Sequence, residues 1–236
     1  MFDYLDRANK LLGIEQISSL EDKCVFIAGL GGVGGTALEA LVRSGVGRFV
    51  IVDFDKVDLS NLNRQILYVR KDVGKPKTEI AKERILSINP QAKVLAFNAK
   101  ISDDFFASFK ERVDFIVDAI DDVDGKLAII KYSLANNIPF VSSLGMGNRI
   151  DPIKVKITKL NQTSGDPLAR KIRYEARQQN LDLSKINVVF SSEEPLLKSK
   201  EPASMVMVPS SAGLLIAKHV LVSLINGGKN NDADNW

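Results

Sequence analysis

Cys24-Val25-Phe26-Ile27-Ala28-Gly29-Leu30-Gly31-Gly32-Val33-Gly34 is the stretch on which the fold turns. Its first five residues form an unbroken apolar run, and a helix-forming segment from Thr36 to Arg43 follows the glycines. An unbroken run, rather than an alternating one, suits a strand covered on both faces, as strands of a parallel sheet are. Gly29-x-Gly31-x-x-Gly34 allows a tight turn and lets backbone N–H groups approach a phosphate. The dipole of the helix that follows favours the same anion. The predicted unit is therefore strand, tight turn, helix.

The alternation continues outward from this unit. Phe49-Val50-Ile51-Val52 reads as a second strand ending at Asp53, Val94 to Phe97 as a third, and Asp114 to Asp118 as a fourth. Ile138-Pro139-Phe140-Val141 opens a fifth. Pro76 starts a helix reaching about Ile88, with Asn89-Pro90 as its stop, and Gly125 to Ala135 reads as another. Residues 24–143 thus predict an α/β, doubly wound, Rossmann-like and mostly parallel sheet. After Gly145-Met146-Gly147 the texture changes. Lys154 to Thr158 alternates as a half-solvated strand does, Asp166-Pro167 begins a helix, and Val188 to Phe190 and Met205 to Val208 read as strands. An apolar helix from Ala212 to about Ile225 follows. The expectation is a single domain over 1–226. Residues 24–143 would be its nucleotide-binding core and 144–226 an antiparallel C-terminal extension carrying substrate-side elements, with 227–236 a disordered tail.

Composition narrows the function classes. The 236 residues carry a formal net charge of +3 and a pI near 8.8, which permits contact with nucleic acid without establishing it. A single cysteine, Cys24, excludes an internal disulfide and a cysteine-based zinc cluster within one chain. Placed in the first strand, it is expected to be buried and inert. No signal-peptide pattern opens the chain, and no apolar run reads as long enough to cross a bilayer, so the cytoplasm is the expected compartment.

The chemistry is first ambiguous. Asp53 follows Gly34 by about 20 residues, where a carboxylate at a strand end can hold ribose hydroxyls. These residues alone fit NAD or FAD as well as ATP. The next stretch, Asp53-Phe54-Asp55-Lys56-Val57-Asp58-Leu59-Ser60-Asn61-Leu62-Asn63-Arg64-Gln65, adds amide and guanidinium donors able to clamp phosphate oxygens. Val73-Gly74-Lys75-Pro76-Lys77 offers lysines at a helix start. Asp118-x-x-Asp121-Asp122 places carboxylates at the carboxyl edge of the sheet, where ligands of open sheets collect. Phosphate donors together with a carboxylate able to hold Mg²⁺ suit nucleotidyl transfer better than hydride transfer. Tyr132 lacks the lysine partner of short-chain dehydrogenases, because position 136 is Asn. His219, the only histidine, lies on the apolar C-terminal helix and reads as a packing residue.

These separated motifs, in this order, resemble the adenylation domain of ubiquitin-activating enzymes and their bacterial ThiF-type relatives. The resemblance implies ATP and Mg²⁺ as cofactors. Gly29, Gly31, Gly32 and Gly34 would approach the phosphates, and Asp53 would hold the ribose. Asn61, Arg64, Gln65 and Lys77 would contact phosphates, Asp55 and Asn63 would line or support the site, and Asp121 would coordinate Mg²⁺. Arg64, Lys77 and Asp121 are the implied catalytic residues. The family also donates an N-terminal arginine across a dimer. Arg7 is the nearest candidate, although the pattern around it differs.

Within the family, Lys159-Leu160-Asn161-Gln162-Thr163-Ser164-Gly165-Asp166-Pro167-Leu168-Ala169, Val188 to Glu193 and Val208-Pro209-Ser210-Ser211-Ala212-Gly213 resemble the tRNA threonylcarbamoyladenosine dehydratase branch. That branch implies ATP-dependent cyclisation of a modified tRNA adenosine, a homodimer and a sulfur-transfer partner protein. The alternative is an adenylyltransferase that activates the C-terminal glycine of a ubiquitin-like or sulfur-carrier protein. Arg170, Lys171, Arg173 and Arg177, preceded by Lys154, Lys156 and Lys159, form either a basic tRNA-facing surface or a solvated helix face.

Overall fold

The computed structural model describes residues 3–197 and 202–227. Two short helices, α1 (Asp6–Leu12) and α2 (Ile14–Ser19), lead into β1 (Cys24–Ala28). Then follow α3 (Gly32–Arg43), β2 (Arg48–Val52), α4 (Lys77–Ile88), β3 (Lys93–Phe97), α5 (Asp103–Ser108), β4 (Phe115–Asp118), α6 (Val123–Ala135) and β5 (Phe140–Ser143). The second half adds β6 (Val155–Lys159), α7 (Pro167–Gln178), β7 (Asn187–Ser191) and α8 (Met207–Ile225).

All strands join one seven-stranded sheet in the order β3-β2-β1-β4-β5-β7-β6. The chain crosses from β1 to β2 and β3 on one side and to β4 and β5 on the other, so the order reverses beside β1. Pairings are parallel from β3 through β7, and only β6 runs antiparallel, against β7. The apolar runs explain the centre. Every residue of β1 and β4 is buried, whereas edge strand β3 is mostly exposed. Each fully buried Val, Ile or Phe there contributes about 1.5–3 kcal/mol. Helices cover both faces: α3, α4 and α8 close one hydrophobic cluster, and α5, α6 and α7 close the other.

Two expectations need correction. Met205 to Val208 is not a strand; Met207 and Val208 open α8, and Pro209 sits in its first turn, where the missing N–H costs no helical bond. A short apolar run cannot by itself tell a strand from a buried helix segment. The expectation on apolar length also fails. α8 has 19 residues and a mean hydropathy of 1.6, which meets the length and composition of a membrane span. Here Ala212, Ile216 and Val220 are buried in the cluster shared with α3, as in a core helix. Beyond Gly227, the expected tail lies outside the described residues.

Candidate active site

The carboxyl ends of β1, β2 and β4 open onto a cleft of about 290 Å³. At its floor, β1 runs into Gly29, which adopts φ +85° and donates its N–H to Val52 O at 2.8 Å. A Cβ on Gly34 would sit 1.9 Å from Gly29 O, so only glycine lets α3 begin this close to the strand. α3 starts at Gly32 with no acidic residue in its first turn, and its amide end is left for an anion.

Asp53 holds this loop in shape. Its carboxylate accepts Leu30 N–H at 2.7 Å and Asp55 N–H at 2.8 Å, and Tyr68 O–H donates to Leu30 O at 2.9 Å. Burial pushes the Asp53 carboxyl upward against the opposing pull of Lys77 and the two backbone donors. Lone pairs beyond those two bonds remain free to accept from a ligand.

The cationic wall comes from the loop after β2 and the start of α4. A turn over 59–61 is capped by Asp58, and Asn61 Oδ1 accepts Asp58 N–H at 3.1 Å, leaving the Asn61 NH₂ as donor. The Arg64 guanidinium is braced by Ser60 O and Asn63 Oδ1, both at 3.0 Å. Lys77 opens α4 after Pro76, with its ammonium buried and 2.7 Å from Asp55. Gln65 is 5% exposed, and its Oε1 accepts no hydrogen bond from any described residue. A buried acceptor left without a partner in a cleft wall costs about 1–3 kcal/mol, so it marks a place where a ligand donor or water fits.

The acidic wall is the loop after β4. Asp121 is exposed there and lines the cleft. Beneath it lies a buried ion pair that the sequence reading missed. Lys126 Nζ is 3.0 Å from both Asp118 oxygens, 3.2 Å from Ser142 Oγ and 2.6 Å from Ser143 O. Asp118 also accepts Ile120 N–H at 3.3 Å, which ties the Asp121 loop to the ends of β4 and β5. Asp122 caps α6 through Gly125 N–H and pairs with Lys100 at 3.2 Å. The Gly125 N–H, with Lys100 and Lys171 assisting, holds its carboxyl below the usual range.

Gly29, Gly31, Gly32, Asp53, Asp55, Asn61, Arg64, Gln65, Lys77 and Asp121 therefore line one cleft. Gly34 and Asn63 do not. Gly34 is packed under the turn, and Asn63 donates to Ser204 O at 2.8 Å, tethering the segment before α8. Lys100, Phe54, Ala99 and Ile101 also line the cleft and were not foreseen. Lys100 lies three residues past β3, and no local pattern marks it. The expected basic surface divides. Arg173 turns inward onto Thr163, Lys156 lies over the Phe190 ring, and Lys159 binds Asn187. Cys24 is at the far end of β1 from the glycine turn, and burial pushes its thiol up to about 11. His219 packs edge-on against Phe115, and burial lowers it to about 4.

The arrangement supplies an anion-ready helix end, three cations, amide donors and an exposed carboxylate at the point where the strand order reverses. It is a site for a nucleoside polyphosphate. Comparison with known proteins agrees with that chemistry. The ThiF family matches residues 5–235. The tRNA threonylcarbamoyladenosine dehydratase of Bacillus subtilis (strain 168) is 33% identical over 95% of this chain and 96% of its own length. The Escherichia coli tRNA N6-threonylcarbamoyladenosine dehydratase crystallised in complex with ATP superposes with a TM-score of 0.88 at 30% identity, covering 97% of this chain and 96% of that one. The molybdopterin-synthase adenylyltransferase of Escherichia coli (strain K12) is 35% identical over 64% of this chain and 59% of its own length. The chain belongs to the ThiF family.

Proposed function

We propose that this chain is an ATP-dependent tRNA threonylcarbamoyladenosine dehydratase, acting as a single adenylating unit over residues 1–226. The observation that carries this reading is the extent of the likeness. It runs over 95% of the chain for the dehydratase and 64% for the carrier-protein adenylyltransferase.

In the first step, the free carboxylate of the threonylcarbamoyl group attacks the α-phosphorus of ATP. One carboxylate O–P bond forms, and the P–O bond to pyrophosphate breaks. In the second, a nucleophilic atom of the same side group attacks the activated carbonyl carbon. AMP leaves and a ring closes, with net loss of water from the nucleoside. No protein nucleophile is required. That suits a cleft whose described lining holds neither cysteine nor histidine, since Cys24 lies at the far end of β1 and His219 packs on Phe115. The protein must neutralise phosphate charge and hold the carboxylate in line. Lys77, Arg64, the Asn61 amide and the amide end of α3 serve the first need, and Asp53 fixes the ribose end. Gln65 meets a ligand donor with its unpaired Oε1.

Mg²⁺ fits this donor set. The ion is commonly held by one or two carboxylates plus substrate phosphates, and Asp121 is an exposed carboxylate on the wall facing the cations. Bound there, it would supply charge neutralisation on the phosphates. We further propose a cytoplasmic homodimer that also meets a sulfur-transfer partner. Its twofold contact would use the apolar groove of about 330 Å³ where Leu12 and Ala40 meet Leu214, Ala217 and Leu221 of α8.

The test is mass spectrometry of nucleosides after tRNA carrying threonylcarbamoyladenosine is incubated with protein, ATP and Mg²⁺. A nucleoside lighter by one water, with AMP and pyrophosphate formed alongside, is expected. Unchanged nucleoside, together with pyrophosphate exchange driven by a ubiquitin-like protein, would replace this reading with the carrier-protein one.

A further inference from the structure

Helix α7 buries Ala169, Ile172 and Ala176 against the sheet and turns Arg170, Tyr174 and Arg177 outward. Their spacing of four and then three residues places all three on one helix face, spread over about 10 Å. Tyr174 is 60% exposed, a large aromatic ring held in water between two guanidinium groups. None of the three side chains hydrogen-bonds to a described residue. Arg173, by contrast, is used up on Thr163.

This face is continuous with the cleft. α7 starts at the carboxyl edge of the sheet, because its capping residue Asp166 accepts Gly145 N–H just beyond β5. One turn on, Lys171 lies within electrostatic reach of Asp122, which lines the cleft and pairs with Lys100. The outward face of α7 therefore starts beside the phosphate site at Arg170 and Lys171 and runs toward the opposite edge of the sheet, where Asn180, just past Arg177, lines a cavity. The basic residues of β6 do not belong to this face. Lys159 lines that cavity with Lys185.

We infer that the outward face of α7, built of Arg170, Tyr174 and Arg177 and joined to the cleft by Lys171, holds the single-stranded loop of the RNA substrate. The two arginines lie on phosphates, and the Tyr174 ring stacks on an unpaired base. The inference rests on the reading of the cleft as one that acts on tRNA, and it names the surface that reading leaves open. Exposed cations alone would fit any polyanion, but cations alternating with an exposed ring are the pattern of single-strand recognition. The adenosine must bring its side group into the cleft, so a surface that grips the flanking RNA adjoins the ATP site.

The test uses the full chain and a fluorescein-labelled RNA stem-loop with an unpaired anticodon loop, followed by anisotropy across a salt series. Tyr174→Ala is expected to weaken binding about 5-fold or more, and Tyr174→Phe to retain it, because stacking needs the ring and not the hydroxyl. Arg170→Ala/Arg177→Ala is expected to weaken binding at least about tenfold and to flatten the salt slope by roughly 0.7 per arginine. In turnover, these variants raise KM for tRNA while kcat and KM for ATP stay near wild type. Lys93→Ala, exposed on edge strand β3 at the other end of the sheet, is expected to bind as wild type does. Unaltered melting curves show that these exposed changes leave the fold intact. If wild type converts tRNA and the α7 variants match it in affinity, salt slope and KM, the surface is wrong and the proposed function stands. If wild type neither binds the stem-loop nor converts tRNA, both fall together.

Discussion

The two edges of the sheet differ in a way that cavity size does not reveal. The amino edge carries the larger hollows, about 640 Å³ beside Lys23, Glu111 and Asp114 and about 510 Å³ beside His219 and Lys159. The cleft at the carboxyl edge measures about 290 Å³. Yet three ionisable groups of the amino edge are spent on structure. Asp114 accepts Cys24 N–H, Lys159 binds Asn187, and burial keeps His219 uncharged at neutral pH. At the carboxyl edge a buried acceptor is left open, a helix presents its amide end, and cations and carboxylates face each other across a gap. Function follows polar groups that await partners, and strand polarity decides which edge has them, because loops after β1, β2 and β4 all emerge on one side.

The sharpest way to break this comparison is Asp121→Ala. If the cleft is the catalytic edge, adenylation falls on the order of a thousandfold while the thermal midpoint holds, since the side chain is exposed. Pyrophosphate exchange beside a melting curve reads both, and retained turnover would remove Asp121 from the centre.

Next comes the buried pair under the same loop. Lys126→Met leaves the fully buried Asp118 without its cation and is expected to cost about 3–5 kcal/mol in urea unfolding. Replacing both partners, as in Lys126→Met/Asp118→Leu, should recover part of that stability. The double variant should still adenylate poorly, because Ile120 N–H loses the acceptor that shapes the loop.

His219 tests the opposite edge. Its folded value near 4 lies below the unfolded 6.5 or so, so the unfolded chain binds the proton first as pH falls. Its contribution to stability is therefore present above about pH 6.5 and is lost as pH falls toward 4. His219→Phe should flatten the stability profile over that window by about 3 kcal/mol and leave kcat at pH 7.5 unchanged. A kcat that drops with His219→Phe would bring the amino edge into the chemistry.

The smallest expected effect is also the most specific. Gln65→Leu removes the unpaired Oε1, so the free protein is expected to gain about 1 kcal/mol by chemical unfolding while its affinity for ATP drops about tenfold. A variant that is less stable and binds ATP normally would show that Gln65 serves only packing.

What could be read from the chain alone has a local physical cause. Unbroken apolar runs gave the buried parallel strands, because a strand covered on both faces needs no polar alternation. Gly29 and Gly34 were legible because a turn this tight excludes a Cβ. Asp53, Arg64, Lys77 and Asp121 stood out because chemistry-bearing residues cluster in the loops that follow strands. Tertiary structure decided the rest. Met207 and Val208 join a helix because α3 and the sheet offer it a buried groove, which an apolar run cannot specify. Lys126 looks like any helical lysine until β4 and β5 bring Asp118 and Ser142 beside it. Lys100 reaches the cleft only because β3 lies next to β2 in the sheet order. The basic residues near α7 read as one surface in sequence, and packing turned Arg173 inward while leaving Arg170, Tyr174 and Arg177 out. Sequence fixes what a residue can offer and the period on which it recurs. Partners distant in the chain depend on how the strands order, and only the folded sheet supplies that.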